Sequence, residues 1–335
     1  MTRAPQSPPE DPTPPPRIHP SASQPDLSNS DLVALRLDAV IMAVTDAQPR
    51  VLVLDSVGAP PFLPSGPLRP AEDRTLELGV RRWVREQTGL ELDYVEQLYT
   101  FGDQHRDPTE KRQGIRVTSV AYLALVREGV VTDSPARWAN VYPLFPWEDW
   151  RQGRPPVLAE VIEPALNAWS DSNPDRSARA LRRERAAVAF GLDGTPWDAD
   201  RVLERYELLY EAELVTEALP QAPAGTGLPM PLDHRRIVAT ALGRLRGKIK
   251  YRPVVFELLE DSFTLLHLQQ VVEALAGLAL HKPNFRRLLD RTRLVEGTGR
   301  RSSQGRGRPA ETFRFRREVL RERPRPGVGI PRSSA

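Results

Sequence analysis

The sequence predicts an α/β domain with a mixed sheet flanked by helices, then a helical insert, and then a C-terminal winged helix-turn-helix domain. Three observations support this fold class. Apolar β-type runs and one amphipathic helix alternate in the first half of the chain. Helical periodicity dominates residues 150–222, and residues 232–320 read as helix, turn, helix and basic hairpin. A chain of 335 residues has room for two domains and an insert.

Composition excludes several classes of protein. The chain has no Cys, which excludes disulfides and thiolate metal sites and fits a reducing compartment. It has no apolar run of about 18 residues that would span a membrane. Residues 1–30 hold nine prolines and no apolar signal segment, and we expect them to form a disordered tail. We therefore expect a cytoplasmic protein without a membrane partner.

The α/β domain is expected over residues 31–149. Two β-type runs, Leu32–Val44 and Arg50–Val57, are separated by a polar turn. Further strands are predicted near Tyr94–Tyr99 and over Ile115–Val126. The order of two strands, a helix and more strands is typical of a mixed sheet with helices on its faces.

The helix of this domain carries the most informative motif. It is predicted to begin at Pro70 and to end at Gly89, and from Arg82 it reads RWVREQTGL. This stretch resembles the helix R-E-U-x-E-E-x-G-U of Nudix hydrolases, in which U is aliphatic. Trp83 and Gln87 stand where two metal-holding carboxylates are expected, and Mg²⁺ needs oxygen ligands, chiefly carboxylates. We therefore expect a Nudix-like fold with no catalytic residue and no metal.

The remaining boundaries follow from composition and periodicity. Residues 150–222 are predicted to be a helical insert or dimerisation element, and residues 223–231 a linker. The winged helix is expected over residues 232–320, and residues 321–335 are expected to be a disordered tail. Its helices are predicted to begin at Asp233, after Thr264 and near Pro283.

The C-terminal charge points to nucleic acid. Residues 281–323 hold fourteen basic and five acidic residues, whereas the whole chain has a net charge of only +3. A basic block on a near-neutral body is typical of a nucleic-acid surface. Because the block lies on a helix and a Gly-rich hairpin loop, double-stranded DNA is the expected partner.

Two stretches carry a resemblance to one family. They are EQLYTFGDQHRDP (Glu96–Pro108) and the C-terminal set RLRGKIKYRPVVFELLEDSFTLLHLQ (Arg244–Gln269), KPNFRRLL (Lys282–Leu289) and GRPAETFRF (Gly307–Phe315). The chain resembles the Nudix-related transcriptional regulators of NAD metabolism, and is most similar to their longer alphaproteobacterial branch. The resemblance implies a homodimeric repressor of NAD biosynthesis or salvage genes. Its Nudix-like domain would sense an NAD-related nucleotide such as ADP-ribose, with no other cofactor. The insert and the altered Nudix helix depart from the family pattern.

The candidate DNA-binding residues fall into three groups. A recognition helix places its first turn at the base edges, where Arg pairs with guanine and Asn with adenine, whereas flexible basic loops contact phosphates. The recognition-helix candidates are Lys282, Asn284, Arg286 and Arg287; the hairpin-loop candidates are Arg300, Arg301, Arg306 and Arg308; and the additional phosphate candidates are Lys248 and Lys250.

The candidate effector-binding residues lie in the Nudix-like domain. A glycine permits close backbone approach, arginine binds phosphate in a bidentate manner, and aromatic rings stack on a base. The candidates are Gly66, Arg82, Glu86, Tyr99, Phe101, Arg106 and Arg116.

A second hypothesis stays open from the sequence alone. The chain would then be an active nucleoside diphosphate hydrolase, similar to ADP-ribose pyrophosphatases, with an accessory C-terminal domain. Glu72, Glu77 and Glu86 would supply its weaker metal site. An RNA-binding role is disfavoured because no aromatic-rich sheet motif is present.

Overall fold

A seven-stranded mixed sheet organises the first domain. The computed structural model describes residues 32–104, 107, 110, 114–129, 131, 135–302 and 309–329. The strands are β1 (Val33–Thr45), β2 (Gln48–Ser56), β3 (Ala59–Phe62), β4 (Ser65–Pro67), β5 (Tyr94–Phe101), β6 (Arg116–Leu125) and β7 (Ala136–Asn140). Their order is β3-β2-β1-β6-β5, with β4 paired to β1 and β7 to β2. Only the β1–β6 pair among these is parallel, so the predicted mixed sheet is confirmed.

Each face of the sheet is covered by helices. Alternate residues of β1 enter two separate cores because side chains of a strand alternate between faces. Leu37 and Ile41 pack with the helix α1 (Leu76–Thr88). Val40 and Met42 belong to the larger core, which includes the helix α5 (His234–Ile249). The two faces of the sheet therefore have different partners.

The helix α1 begins later than predicted. The expected start at Pro70 is wrong, because the segment before Thr75 forms a turn closed by its own carboxylate. Asp73 accepts a hydrogen bond from the Arg69 backbone N–H at 2.8 Å. Thr75 then caps the helix by accepting from the Leu78 N–H at 3.1 Å. The end is confirmed, since Gly89 adopts the left-handed conformation with φ of 71°.

The insert is helical and shares the larger core. A π-helical turn over Leu158–Ile162 leads into α2 (Glu163–Asp171), and α3 (Arg176–Phe190) and α4 (Val202–Glu211) follow. Apolar side chains of α4 and α5 lie in one continuous core with the sheet. The insert is thus packed as part of the molecule and is not a peripheral spacer.

A buried charge cluster joins this insert to its neighbours. Glu148, in the 3₁₀ turn Pro146–Glu148, lies between Arg205 of α4 and Arg246 of α5, and all three are fully buried. Arg246 also donates to the Leu275 carbonyl at 2.9 Å. Two arginines hold the pKa of the Glu148 carboxyl below its usual value, against the opposing effect of burial. The cluster fixes α4, α5 and the C-terminal domain to the end of the sheet domain.

The helix α5 packs against the sheet as well as against the C-terminal domain. The sequence assigns it to the winged helix, but the structure packs it across the sheet face, where Lys248 forms an ion pair with Glu96 of β5. The predicted linker ahead of it is anchored too. Arg235 donates to the Leu144 and Thr226 carbonyls, and Met230 is buried. No break in packing therefore coincides with the expected boundary at residue 232.

The winged helix is completed by two helices and a hairpin. The helix α6 (Leu265–Ala276) begins after Thr264, as predicted, and ends at Gly277. The helix α7 (Lys282–Thr292) precedes the hairpin of β8 (Val295–Ser302) and β9 (Ala310–Phe315). Phe263 and Phe313 exchange two backbone hydrogen bonds of 2.8–2.9 Å, which tie the entry of α6 to the hairpin.

The C-terminal tail is partly ordered, contrary to expectation. A short helix, α8 (Val319–Glu322), precedes a segment in which Val328 is fully buried. Gly327 lies against the backbone of Lys250 and Tyr251, where a Cβ would come within 2.3 Å. The prediction of disorder over residues 321–335 is therefore wrong for residues 321–329. Residues 330–335 and the N-terminal tail lie outside the described residues. No helix of the described part of the chain has the length and apolar character needed to cross a membrane.

Candidate functional site

Trp83 fills the space between α1 and β4. Its indole N–H donates to the Pro67 carbonyl at 2.8 Å. The guanidinium groups of Arg69 and Arg82 each lie 4.6 Å from the ring centroid, within the range of cation–π attraction. A Cβ on Gly66 would come within 2.1 Å of the indole. Gly66 therefore accommodates the tryptophan, and this close approach does not fit its predicted role beside a nucleotide.

Gln87 is bound to the backbone of the neighbouring strand. Its amide oxygen accepts from the Ser65 N–H at 3.0 Å, and its amide nitrogen donates to the Ser65 carbonyl at 2.9 Å. A glutamate at this position has no N–H to donate, so only an amide satisfies both backbone groups. Gln87, which stands where the Nudix pattern has a metal-holding carboxylate, thus fixes α1 to β4 through two hydrogen bonds.

The charged residues of this helix are paired with one another. Arg82 makes two hydrogen bonds of 2.8 Å to the Asp73 carboxylate, which hold the pKa of Asp73 below its usual value. Glu86 lies 3.4–3.5 Å from both Arg82 and Arg69. Across the described residues, no group of three or more His, Asp or Glu side chains is placed to hold a metal ion. The residues present do not fit the magnesium site of a Nudix hydrolase.

The other effector candidates lie on β5 and β6. Tyr99 is 55 % exposed, and its ring meets that of Phe101 edge-on at 5.1 Å. Phe101 itself is buried in the larger core beneath Arg236, and this burial contradicts its predicted stacking on a base. Arg116 is exposed and donates to the Gly102 carbonyl. Arg106 lies outside the described residues. The candidates therefore form two separate groups, around α1 and along β5 and β6.

The helix α7 presents a basic face. Phe285 and Leu289 are buried beneath it, whereas Lys282, Arg286 and Arg287 are exposed. Neither Lys282 nor Arg286 has an ion pair with a described residue. Asn284 accepts a hydrogen bond from Arg287, one turn later, so the two predicted base readers are held together. A recognition helix needs an apolar face that packs on its own domain and a cationic face that is open to DNA. The helix α7 has both faces.

The hairpin and the two lysines differ in their surroundings. Arg300 and Arg301 are exposed on β8 and have no ion pair in the described part of the chain. Arg306 and Arg308 lie outside that part. Lys250 pairs with Asp200 at 2.6 Å, and Lys248 with Glu96. The two lysines therefore have structural partners, and their predicted phosphate contacts would compete with these.

The comparison with known families decides the nature of this domain. Residues 255–315 match the family model of the NrtR DNA-binding winged helix domain. The C-terminal domain is a winged helix that is similar to the DNA-binding domain of NrtR. The matched region contains α6, α7 and the hairpin, and so includes every candidate on the recognition helix and in the wing.

Relatives of known structure have the same arrangement of domains. NrtR of Shewanella oneidensis, solved in complex with a 27mer DNA, is 22% identical, with a TM-score of 0.52 over 86% of this chain and 95% of that protein. A MutT/nudix family protein of Enterococcus faecalis is 18% identical, with a TM-score of 0.51 over 88% of this chain and 90% of its own. These likenesses show the fold, a Nudix-like domain followed by a winged-helix domain.

A curated relative is similar over a shorter stretch. The chain is 34% identical over 88 residues to an ADPR responsive transcriptional repressor, NtrR, of Acinetobacter baylyi. The match covers 26% of this chain and spans only 35% of the length of that relative.

Sequence reasoning missed the residues that complete the α1 site. Arg69, Asp73 and Ser65 are brought to Trp83 and Gln87 by the turn before the helix and by β4. The amide at position 87 could have indicated these contacts, because a partly buried amide side chain needs both a donor and an acceptor nearby.

Proposed function

We propose that the protein is a DNA-binding transcriptional repressor of genes of NAD biosynthesis or salvage. The observation that carries the proposal is the match of residues 255–315 to the NrtR DNA-binding domain, together with the unpaired cations on α7 and β8. Phosphate neutralisation by such cations supplies affinity, and base-edge contacts supply specificity. The repressor function of the A. baylyi relative supports the sign of regulation.

The Nudix-like domain senses an NAD-related nucleotide such as ADP-ribose and does not hydrolyse it. The ADPR responsiveness of the A. baylyi relative supports this effector class. Gln87 is committed to the Ser65 backbone, Trp83 to Gly66 and Pro67, and Glu86 to two arginines. A diphosphate hydrolase needs carboxylates that are free to hold Mg²⁺, so this arrangement argues against the hydrolase hypothesis.

The functional form is a cytoplasmic homodimer. A dimer presents two recognition helices, and these read half-sites about one or two helical turns apart on a palindromic operator. Asn284 and Arg287 would read bases, and Arg300 and Arg301 would contact phosphates.

One experiment tests both halves of the proposal. Fluorescence anisotropy would measure binding to a labelled duplex from upstream of NAD-synthesis genes, with scrambled DNA as the control. ADP-ribose should bind the protein and shift this affinity, because coupling between two ligands is reciprocal. ADP-ribose turnover with Mg²⁺ should stay far below the roughly 1–10³ s⁻¹ of ordinary enzymes. Equal affinity for both duplexes contradicts the repressor, and turnover at an ordinary rate contradicts the inactive sensor.

A further inference from the structure

A cleft of about 390 Å³ lies beside the β5 terminus, away from α1. One wall is the chain that follows β5, with Asp103 and Gln104. The cleft is also lined by the insert helix α4 and by the first turn of α5 with Arg236. The helical insert therefore lines a cavity of the Nudix-like domain together with Asp103 and Gln104.

The α4 wall is aromatic. Tyr210 is 47 % exposed, and its ring centroid lies 6.4 Å from that of Tyr206. Tyr206 is 2 % exposed and lines the cleft, yet its hydroxyl has no hydrogen bond to any described residue. A tyrosine whose ring is packed and whose hydroxyl lies at a cavity wall can use that hydroxyl as a hydrogen-bond donor or acceptor. This hydroxyl is therefore available to a ligand in the cleft.

The charges of the cleft select the kind of ligand. Among the described lining residues, Asp103, Glu207 and Asp233 carry carboxylates, and Arg236 carries a guanidinium. Arg236 is already paired with Asp103 and Glu207. No described lining residue therefore offers a diphosphate a cation that is not already paired. A neutral group with several N–H and O–H donors and a flat ring would fit both the carboxylates and the tyrosines.

We propose that this cleft binds the purine nucleoside half of the effector, with the base stacked on Tyr210 and the phosphates outside. The inference rests on the proposed function, which makes an ADP-ribose-like nucleotide the effector. The amino group of adenine and the ribose hydroxyls donate to Asp103 and Glu207, and a ring nitrogen accepts from the Tyr206 hydroxyl. The cavity volume suits a nucleoside, and the insert supplies the stacking surface.

Calorimetric titration with ADP-ribose tests the cleft on the full chain. Tyr210→Ala should raise the Kd by roughly 5- to 150-fold, because stacking of a base on an aromatic ring is worth about 1–3 kcal/mol. Tyr210→Phe should bind as the wild type does. Tyr251→Ala is the matched control, since Tyr251 is 41 % exposed and lies beyond the other end of α5. Adenosine should displace ADP-ribose from the wild type, and ribose 5-phosphate at the same concentration should not.

The outcomes separate this inference from the proposed function. If the wild type binds ADP-ribose and both Tyr210→Ala and Glu207→Gln bind it equally well, the cleft is not the site, and the sensor function stands. Failure of adenosine to compete would also overturn the inference. If the wild type binds no ADP-ribose, the proposed effector is wrong and the inference falls with it.

Discussion

The α1 face and the α7 face of the molecule are both rich in arginine, but they use it differently. On α1, Arg82 is locked to Asp73 and Arg69 to Glu72 and Glu86, and both guanidinium groups flank Trp83. On α7, Lys282 and Arg286 are exposed and have no ion pair with a described residue. Basic residues thus support internal structure at one site and form an exposed cationic surface at the other.

The α1 face shows how charged and amide side chains can serve packing. Gln87 and Trp83 both bind the backbone of β4, and the neighbouring charges pair with one another. Cations that have no ion pair with a described residue can neutralise the phosphates of a nucleic acid. The counterions that the nucleic acid then releases favour binding. The two regions therefore differ in whether their charged side chains form ion pairs, and not in the number of charged side chains.

A fully buried carboxylate that pairs with two arginines should give the largest effect. Glu148→Gln leaves Arg205 and Arg246 without their carboxylate in a fully buried position. We expect a loss of about 3–5 kcal/mol in the free energy of unfolding, measured by denaturant titration. Glu211→Gln is the control, because the Glu211–Arg185 pair is exposed and should contribute about 0–1 kcal/mol.

The stability difference between wild type and Glu148→Gln should depend on pH in one direction. The pKa of Glu148 is lowered by folding, so its contribution is present above the unfolded pKa and is lost as pH falls through the folded pKa. The two proteins should converge in acid. A difference that persists unchanged at low pH, or a loss no larger than that of the control, would contradict the assigned role of the cluster.

A substitution at β4 tests whether Trp83 determines the α1 face. Gly66→Ala places a methyl within 2.1 Å of the indole, so that the indole or the strand must shift. We expect a loss of about 1–3 kcal/mol in stability from overpacking, measured by denaturant titration. Gly102→Ala is the matched control, since its Cβ would meet Thr118 at an ordinary 3.7 Å. Equal stability of the two variants would show that the indole is not held as described.

On the α7 face, substitution should change DNA binding and leave stability alone. Asn284→Ala or Arg287→Ala should weaken operator binding by about 1–3 kcal/mol and relax base preference, because each removes a candidate base-edge contact. Competition with operators altered one base pair at a time measures the preference. Unchanged affinity and specificity in both variants would mean that α7 is not the reading helix.

Periodicity predicted the elements well and their partners poorly. Strands β1, β2, β5 and β6 and the helix end at Gly89 follow from local pattern and glycine geometry. The role of α5 could not be predicted in this way, because an apolar stripe shows that a face is buried but not against what. Three fully buried arginines, Arg205, Arg235 and Arg246, were equally unforeseen. Burial of a guanidinium depends on carboxylates and carbonyls that the fold brings from distant positions.

The smallest expected effect separates a phosphate contact from net charge alone. Arg300 is exposed on the wing without an ion pair in the described part of the chain, whereas Arg314 on β9 pairs with Glu296 at 2.6 Å. Both substitutions to Ala remove one positive charge. Arg300→Ala should weaken binding to operator and scrambled DNA alike, and should reduce the slope of log affinity against log salt by about 1. Arg314→Ala should leave that slope nearly unchanged, because its guanidinium is already neutralised by its neighbour. Anisotropy across a salt series measures both slopes, and equal reductions would show that the wing acts only through the total charge of the domain.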